Sequence, residues 1–404
     1  MSPAATRRTV LAAGGALAFS SALPSPRAGA AGRAVRRRAY VLVVDGCRPG
    51  EIDPVLTPHL HALRAGGLRF PHASSLPVME TIPNHVMMMS GVRPDRSGVP
   101  ANAVYDRELG AVRTLDRPGD LRAATVLERL DRHGLTTGTV LSKQYLYGIF
   151  GTRATHRWEP TPVVPVSGHA PDQFTMDAAL EMVGRFDPHL VFVNLGDIDR
   201  FGHSDVTGPL DVKAARRLAL ADTDRQVQRF TDLLHASGRW EHSMVLVLAD
   251  HSMDWSTPDA IVSLQGPLEA DPFLAGRFRI ADNGGADLVY WTGPPARRAQ
   301  AVERIRSVAR GVPGVLAAHP RTESSLRLGP EAGDVVVWCE PGWRFSDPDP
   351  TSNPIPGNHG HPATRPIPFF VTGGHPLVPR GSRSRAHAHT VDVAPTVASF
   401  LGLG

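Results

Sequence analysis

The chain is poor in lysine and in cysteine. Only Lys143 and Lys213 are lysines among its 43 basic residues, and the formal net charge is +4. No clustered basic run lies beyond the N-terminal region, which argues against a stably bound nucleic acid. Cys47 and Cys339 are too few for a disulfide scaffold and have no CxxC spacing. The sequence leaves open whether they pair or stay as free buried thiols.

The chain also lacks an apolar run long enough to span a bilayer. Its first thirty residues are predicted to be a targeting segment, because Arg7-Arg8 precede a mild apolar run that ends at Leu23, and small residues at 28–30 follow. Paired arginines before a modest apolar stretch indicate twin-arginine export, so residues 1–30 are predicted to be a signal peptide and the mature protein to be secreted or extracytoplasmic. A disordered tail or an ordinary secretory signal is the alternative.

Continuous apolar, β-branched runs predict strands that are buried on both faces, as in a parallel sheet. Such a run lies at 39–44, and the apolar-rich runs at 190–195 and 244–248 are predicted to be further buried strands. Acidic residues stand at or just beyond the end of each run, where open α/β sheets bind their ligands. Helical patterns separate the runs, so the sequence predicts a doubly wound, mostly parallel α/β sheet with a site along one edge.

The remaining pattern predicts a second, smaller unit. Further helices are predicted at 57–67, 121–134, 174–186, 211–236 and 391–401, and further strands at 137–141 and 367–372. Between about 256 and 355, short strands at 278–281, 287–291 and 334–338 surround one helix at 297–310. This change predicts a small α+β cap at 256–355, inserted into a catalytic core of residues 38–255 and 356–404.

The segment from Ser74 to Gly91 reads as a loop that turns into an apolar helix, with Pro77 and Pro83 as punctuation. A hydroxyl at such a junction lies where backbone N–H groups and the positive helix end favour a phosphate. This position makes Thr81 a candidate nucleophile, although a threonine at a helix start is more often only a cap.

Six further side chains have the chemistry of metal ligands. They are Asp45, Asp199, His203, Asp250, His251 and His359. Carboxylate and imidazole donors suit Zn²⁺ or similar ions. Six donors and Thr81 are too many for one tetrahedral ion and predict two divalent ions, the arrangement that clamps a displacement at phosphorus. His361 is an alternative to His359, and Asp197 is predicted to lie behind the ligands.

Several short motifs, in this order, resemble the type I phosphodiesterase/nucleotide pyrophosphatase branch of the alkaline phosphatase superfamily. They are Val43-Val44-Asp45-Gly46, Thr81-Ile82-Pro83-Asn84-His85, Gly98-Val99-Pro100-Ala101-Asn102, Asp199-Arg200-Phe201-Gly202-His203, Ala249-Asp250-His251 and His359-Gly360. The resemblance implies two zinc ions, one held by Asp45, Thr81, Asp250 and His251, the other by Asp199, His203 and His359. It also implies that Thr81 is the nucleophile and that Asn102 donates to a phosphoryl oxygen, where charge builds in the transition state.

Two departures bear on the substrate. Ile82 stands where the pyrophosphatases usually carry a base-stacking Phe, which weakens the expectation of a nucleotide. Ser142-Lys143-Gln144-Tyr145 resembles phosphonoacetate hydrolase, in which two lysines bind the substrate carboxylate; Lys143 matches the first, and Tyr145 replaces the second. An ordinary surface lysine is the alternative for Lys143.

The sequence therefore predicts an exported two-metal phosphodiesterase or pyrophosphatase that acts through a phospho-threonine on a small phosphodiester, pyrophosphate or phosphonate. The alternatives are a phosphonate C–P hydrolase, a phosphomonoesterase and a binding protein with an inactive site. The sequence leaves the oligomeric state and the native metal open.

Overall fold

The structure is a computed structural model that describes residues 36–165, 167–206 and 213–403. The predicted signal peptide, residues 1–30, lies outside the described residues. Every helix within the described ranges is too short or too polar to cross a bilayer. Both cysteines of the chain are buried and free, so the thiol alternative holds in this structure.

The strands, numbered along the chain, are β1 (Arg38–Val44), β2 (Leu68–Arg69), β3 (Ala103–Asp106), β4 (Ala111–Thr114), β5 (Thr137–Leu141), β6 (His156–Trp158), β7 (Leu190–Leu195), β8 (Ser243–Leu248), β9 (Asp254–Trp255), β10 (Ile261–Val262), β11 (Phe278–Asp282), β12 (Ala286–Trp291), β13 (Val315–Pro320), β14 (Val335–Cys339), β15 (Arg344–Phe345), β16 (Gly357–Asn358), β17 (Phe369–Thr372) and β18 (Ser382–Arg383). The helices are α1 (Pro58–Gly66), α2 (Thr81–Ser90), α3 (Pro94–Ser97), α4 (Val126–Asp131), α5 (Gln144–Phe150), α6 (Asp172–Phe186), α7 (Asp197–Ser204), α8 (Ala214–Ala236), α9 (Gln265–Glu269), α10 (Arg298–Arg310) and α11 (Val393–Leu401).

An eight-stranded sheet in the order β18-β2-β17-β8-β1-β7-β5-β6 forms the core. The run from β8 to β6 is parallel, and β17 pairs antiparallel with β8. The central strand β1 is fully buried from Ala39 to Val44, because helices cover the sheet. This topology confirms the predicted doubly wound, mostly parallel α/β sheet.

Most predicted elements end within two residues of those in the structure, but α4, α8 and β17 begin later than predicted, and several elements, among them α5, α7 and β13, were not predicted. Helix α4 begins only at Val126, because Thr125 and Glu128 form a reciprocal capping box there. Strand β17 begins at Phe369 and not at 367, since Pro368 has no N–H for a ladder. Strand β13 was not predicted, and the described part of α8 begins at Ala214 rather than at 211.

A second sheet of four antiparallel strands lies in the order β11-β12-β14-β13, with α10 against it. Alternate residues of β12 face two cores, as a pleated strand requires. Val289 and Trp291 join a hydrophobic cluster with α10, whereas Leu288 and Tyr290 join the core of the large sheet. This packing agrees with a cap, but its boundaries at 256 and 355 stay a prediction.

Candidate active site

Four adjacent strands of the large sheet carry charged residues at their carboxyl ends. Asp45 follows β1, Lys143 follows β5, Asp199 lies in the first turn of α7 after β7, and Asp250 follows β8. Because β5, β7, β1 and β8 are neighbours and parallel, these side chains converge at one edge of the sheet. All four are at most 1% exposed.

Helix α2 brings Thr81 to this edge. Thr81 is its first residue, and its hydroxyl Oγ1 lies 3.2 Å from Nε2 of His251 and 3.4 Å from the ammonium of Lys143. The preceding loop is fixed by Asn84, whose Nδ2 donates to the carbonyls of Leu76, Val78 and Glu80. All ten residues of α2 are buried, so the position of Thr81 is set by core packing.

The carboxylates of Asp45, Asp199 and Asp250 share one pattern: donors hold one oxygen and leave the other without a hydrogen bond. Lys143 Nζ lies 2.8 Å from Asp45 Oδ2 and 2.7 Å from Asp199 Oδ2, and the Gly46 N–H donates to Asp250 Oδ1. The opposite oxygens, Asp45 Oδ1, Asp199 Oδ1 and Asp250 Oδ2, are buried and unpartnered.

Burial raises the pKa of Asp45, with a further contribution from Asp250. Burial also opposes the charge on Asp199, but Lys143 and His203 hold its pKa well below the ordinary value.

Three histidines face these free oxygens through Nε2, and each of them binds a backbone carbonyl through Nδ1. Nδ1 of His203, His251 and His359 lies 2.7, 2.9 and 3.1 Å from the carbonyl oxygens of Gly357, Ser252 and Met79. Each Nδ1 therefore carries the proton, and each Nε2 presents a lone pair. Burial lowers the pKa of His251 to about 4 and, with the nearby rings of His251 and His203, lowers that of His359 well below its usual range. Neutral imidazoles of this kind are metal donors.

The free carboxylate oxygens and the Nε2 atoms meet in two groups. Asp199 Oδ1 lies 3.3 Å from Nε2 of His203 and 3.8 Å from Nε2 of His359. Nε2 of His251 lies 3.3 Å from Asp250 Oδ2 and 3.8 Å from Asp45 Oδ1. Buried acceptor atoms that face one another without a donor between them fit a cation in each group. The geometry brings all the predicted ligands together.

Two nearby histidines have other partners. Nε2 of His361 faces Asp254 at 3.3 Å, and His361 belongs to none of the ligand groups found among the described residues. His85, which ends the Thr81–His85 motif but was not predicted to be a ligand, is fully buried in the site. It is close enough to Asp45 and Asp250 to form a third ligand group with them. However, Nδ1 of His85 bonds the Thr81 carbonyl and its Nε2 bonds Asn194, which fits a positioning role.

Asn102 lies beside the start of α2. Its Oδ1 accepts the backbone N–H of Ile82 at 2.8 Å, and its own backbone N–H donates to Glu80 at 2.6 Å. Burial raises the pKa of the Glu80 carboxyl to about 8. With Oδ1 engaged, the Nδ2 amide of Asn102 has no partner within the described ranges and is free to donate.

A cavity of about 280 Å³ opens onto this arrangement. Its lining combines core and cap residues: Glu80, Thr81, Ile82, Asn102, Thr114, Tyr145, Asp199, Arg200, His203, Asn283, Gly284, Asn353, Ile355, Gly357, Asn358 and His359. Lys143 does not line it, and the surface alternative for Lys143 is wrong because the residue is fully buried. Asp197 bonds His169 and the N–H of Asp172 behind the site.

The model of the type I phosphodiesterase/nucleotide pyrophosphatase family matches residues 39–362. The chain therefore belongs to this family, which confirms the resemblance found in its motifs. The predicted enzyme class, a metal-dependent hydrolase of phosphoric esters and anhydrides, is the class of this family.

Individual relatives are distant. Human ectonucleotide pyrophosphatase/phosphodiesterase family member 5 is 21% identical over 255 residues, which are 59% of this chain and 49% of that protein. The match thus spans about half the length of the human relative. The bovine bis(5'-adenosyl)-triphosphatase ENPP4 is 22% identical over 374 residues, which are 89% of this chain and 77% of that protein.

Solved structures support the fold. Murine ectonucleotide pyrophosphatase/phosphodiesterase 5 in complex with AMP has a TM-score of 0.75 and 17% identity, and covers 91% of this chain and 96% of that chain. Phosphonoacetate hydrolase from Sinorhizobium meliloti in complex with phosphonoacetate has a TM-score of 0.70 and 18% identity, with the same coverage. At these identities the likeness establishes the shared α/β architecture.

Proposed function

We propose that the protein is a two-metal hydrolase of phosphodiesters or pyrophosphates in which Thr81 is the nucleophile. One observation carries the proposal. The Thr81 hydroxyl lies at a cavity wall, 3.2 Å from Nε2 of His251, beside three buried carboxylates that each keep one oxygen free.

The two groups of facing acceptors agree with the division of ligands that the family resemblance implies. Asp45, Thr81, Asp250 and His251 would hold one ion, and Asp199, His203 and His359 the other. When bound, such ions lower the pKa of the nucleophile and neutralise charge on the reacting phosphoryl group. We take zinc as the native metal because both sets mix carboxylate and imidazole donors.

The chain's own groups then serve the displacement. Thr81 Oγ1 attacks phosphorus as the bond from phosphorus to the leaving oxygen breaks. The hydroxyl gives up its proton, and the departing alcohol or phosphate takes one up. The backbone N–H groups at the start of α2 and the free Nδ2 of Asn102 donate to non-bridging oxygens. Lys143 pairs with Asp45 and Asp199 and orients both carboxylates through their Oδ2 atoms. Water attack on phospho-Thr81 completes the turnover.

Pyrophosphates and diesters are the first candidates for the substrate, in line with the family. The predicted export signal fits hydrolysis outside the cytoplasm. A phosphonate is the second candidate, because Ser142-Lys143-Gln144-Tyr145 resembles phosphonoacetate hydrolase and that enzyme shares the fold. The apolar Ile82 in the cavity wall offers no aromatic face to a nucleobase.

Turnover by the zinc-loaded protein tests the proposal. The substrates are an aryl phosphodiester, the matching monoester, a dinucleoside pyrophosphate and phosphonoacetate, each with and without chelator. We expect hydrolysis of the diester or the pyrophosphate that chelator abolishes. Thr81→Ala should bind metal and lose turnover, whereas Thr81→Ser, which keeps a hydroxyl, should retain part of it. A fully active Thr81→Ala protein would contradict the proposal.

A further inference from the structure

The cavity has polar lining residues that the proposed chemistry does not use. Among them are Arg200, Tyr145 and Asn353. Arg200 is the only arginine or lysine among the described residues that line the cavity. Among the described lining residues, Arg200 is therefore the one permanently charged cation that a phosphoryl compound in the cavity could contact.

Arg200 is held in place by Tyr145. Its Nη2 donates to the Tyr145 hydroxyl at 3.1 Å, and the guanidinium carbon lies 5.6 Å from the centroid of the Tyr145 ring. Both side chains belong to short helices, α7 and α5, that follow adjacent strands of the large sheet. The contact orients the guanidinium plane and uses only one of its five N–H donors.

The other donors of Arg200 have little to bind within the protein. Its Nε is buried and has no hydrogen-bond partner in the described part of the chain. The nearest carboxylate oxygen, Asp199 Oδ2, is 3.9 Å away and is already bound by Lys143 at 2.7 Å. The side chain of Arg200 is only 21% exposed, so these donors are largely removed from water as well.

Lys143 is not available for the same role. Its ammonium is fully buried between Asp45 and Asp199, at 2.8 and 2.7 Å, and it is absent from the cavity wall. A substrate carboxylate or phosphate would have to displace one of these carboxylates to reach it. Lys143, which the sequence suggests as a substrate-binding cation, is therefore paired with the candidate metal ligands Asp45 and Asp199, whereas Arg200 lines the cavity.

We propose that Arg200, oriented by Tyr145, binds a second anionic group of the substrate, beside the phosphoryl group that Thr81 attacks. This inference rests on the proposed function and narrows its substrate class to compounds with two neighbouring anionic groups. A guanidinium fork binds a phosphate or a carboxylate through two parallel hydrogen bonds. Either the adjacent phosphate of a pyrophosphate or the carboxylate of a phosphonocarboxylate supplies this chemistry.

Selectivity of the zinc-loaded full-length protein tests the inference. The variants are Arg200→Gln, Tyr145→Phe and a control, Arg157→Gln. Arg157 is an exposed arginine that lies 5.0 Å from the ring centroid of Tyr147, also in α5, and it does not line the cavity. The substrates are a dinucleoside pyrophosphate, phosphonoacetate and an aryl methyl phosphodiester, which has a single anionic group.

We expect Arg200→Gln to lower kcat/KM about 10- to 100-fold on whichever two-anion substrate the wild type uses, mainly through KM, as loss of a charged hydrogen bond predicts. On the single-anion diester the loss should stay below about threefold. Tyr145→Phe should show the same selectivity with a smaller loss, and Arg157→Gln no loss. Zinc content, measured in parallel, should stay equal, which separates substrate binding from damage to the neighbouring ligand Asp199.

Two results with the Arg200→Gln variant would overturn the inference. One is an equal loss on all three substrates at full zinc content; the other is no loss on the two-anion substrates. If the wild type hydrolyses only the single-anion diester, the inference fails while the proposed function stands. If Thr81→Ala is active, the proposed function itself fails. A selective loss on the pyrophosphate identifies the second anionic group as a phosphate, and a selective loss on phosphonoacetate identifies it as a carboxylate.

Discussion

The two polar atoms of the Asn102 side chain have different functions in the proposed reaction. Its Oδ1 accepts the N–H of Ile82, the residue after the nucleophile, while its Nδ2 is free beside Thr81. The sequence placed Asn102 in a polar turn, and only the family resemblance gave it a catalytic role. In the role that we propose, the hydrogen bond to Oδ1 would hold the Nδ2 donor in place.

The substitution Asn102→Asp keeps the hydrogen-bond acceptor of this side chain and removes its donor. The carboxylate can still accept the Ile82 N–H but can no longer donate to a phosphoryl oxygen. We expect kcat to fall about 100-fold, the typical cost of removing one preorganised donor from a transition state. Zinc content and melting temperature serve as controls and should remain close to those of the wild type. Retention of full kcat would remove Asn102 from the proposed chemistry.

A second prediction concerns the contribution of the buried Lys143 ammonium to stability. Removing one partner of a buried ion pair costs about 3–5 kcal/mol, because a charge remains unpaired. Lys143→Met keeps the chain length and leaves Asp45 and Asp199 facing each other without the ammonium. We expect the melting temperature of the chelated protein to fall by more than about 5 °C. The fall should be smaller after zinc loading, since cations replace the missing charge. An unchanged melting temperature in chelator would contradict this account.

At the scale of elements, the sequence predicted the large sheet well because its strands are buried on both faces. Strands β1, β7 and β8 are rich in apolar, β-branched residues and almost fully buried, and such runs have few alternatives to a central parallel strand. Strand β13, with the sequence VLAAHP, lies at the edge of the small sheet and is only partly buried. Its composition gave no periodic signal, so only the pairing with β14 reveals it.

An ion pair between elements gives a pH-dependent prediction. Asp187, between α6 and β7, bonds Arg38 at the start of β1 and Arg239 after α8. Burial would raise its pKa, but the two arginines outweigh burial and lower the pKa to about 2. Because the folded pKa lies below the unfolded value of about 3.9, the stabilisation is present above about pH 4 and is lost as the pH falls towards 2.

Asp187→Asn tests this linkage. Asparagine tolerates the left-handed backbone of this residue, whose φ is 48°. After allowance for solvent screening of this partly exposed group, we expect a loss of about 1 kcal/mol at pH 7. Thermal unfolding at a series of pH values should show the gap to the wild type closing between about pH 4 and pH 2. A gap that stays constant over this range would assign the effect to packing and not to charge.

At the scale of the whole molecule, the site depends on contacts between distant parts of the chain. The sequence singled out the candidate ligands because most of them follow predicted strands and all match family motifs. It could not identify His85 or Arg200 as site residues, because their roles depend on Asn194 and Tyr145, which only the fold brings to them. It also placed Lys143 correctly at a strand end but could not show that its charge is committed to Asp45 and Asp199.

The small sheet reaches the site through Asn283, in the turn between β11 and β12. Its Oδ1 accepts the N–H of Ala103, and its Nδ2 donates to the carbonyls of Ala103 and Ala281. Asn283→Ala should therefore loosen the segment that carries Asn102 and lower kcat by about tenfold, with a smaller effect on zinc content. Steady-state kinetics and metal analysis measure both. An unchanged kcat would mean that the small sheet does not position Asn102.

In the reaction that we propose, Thr81 takes the phosphoryl group. The most direct measurement is acid quenching of zinc-loaded enzyme during turnover of an aryl phosphodiester, followed by mass spectrometry of the peptide that contains Thr81. The account predicts a phosphoryl adduct on Thr81 that accumulates during turnover and is absent from Thr81→Ala. Steady hydrolysis without any adduct, at the same rate in Thr81→Ala, would contradict it and leave water as the direct nucleophile.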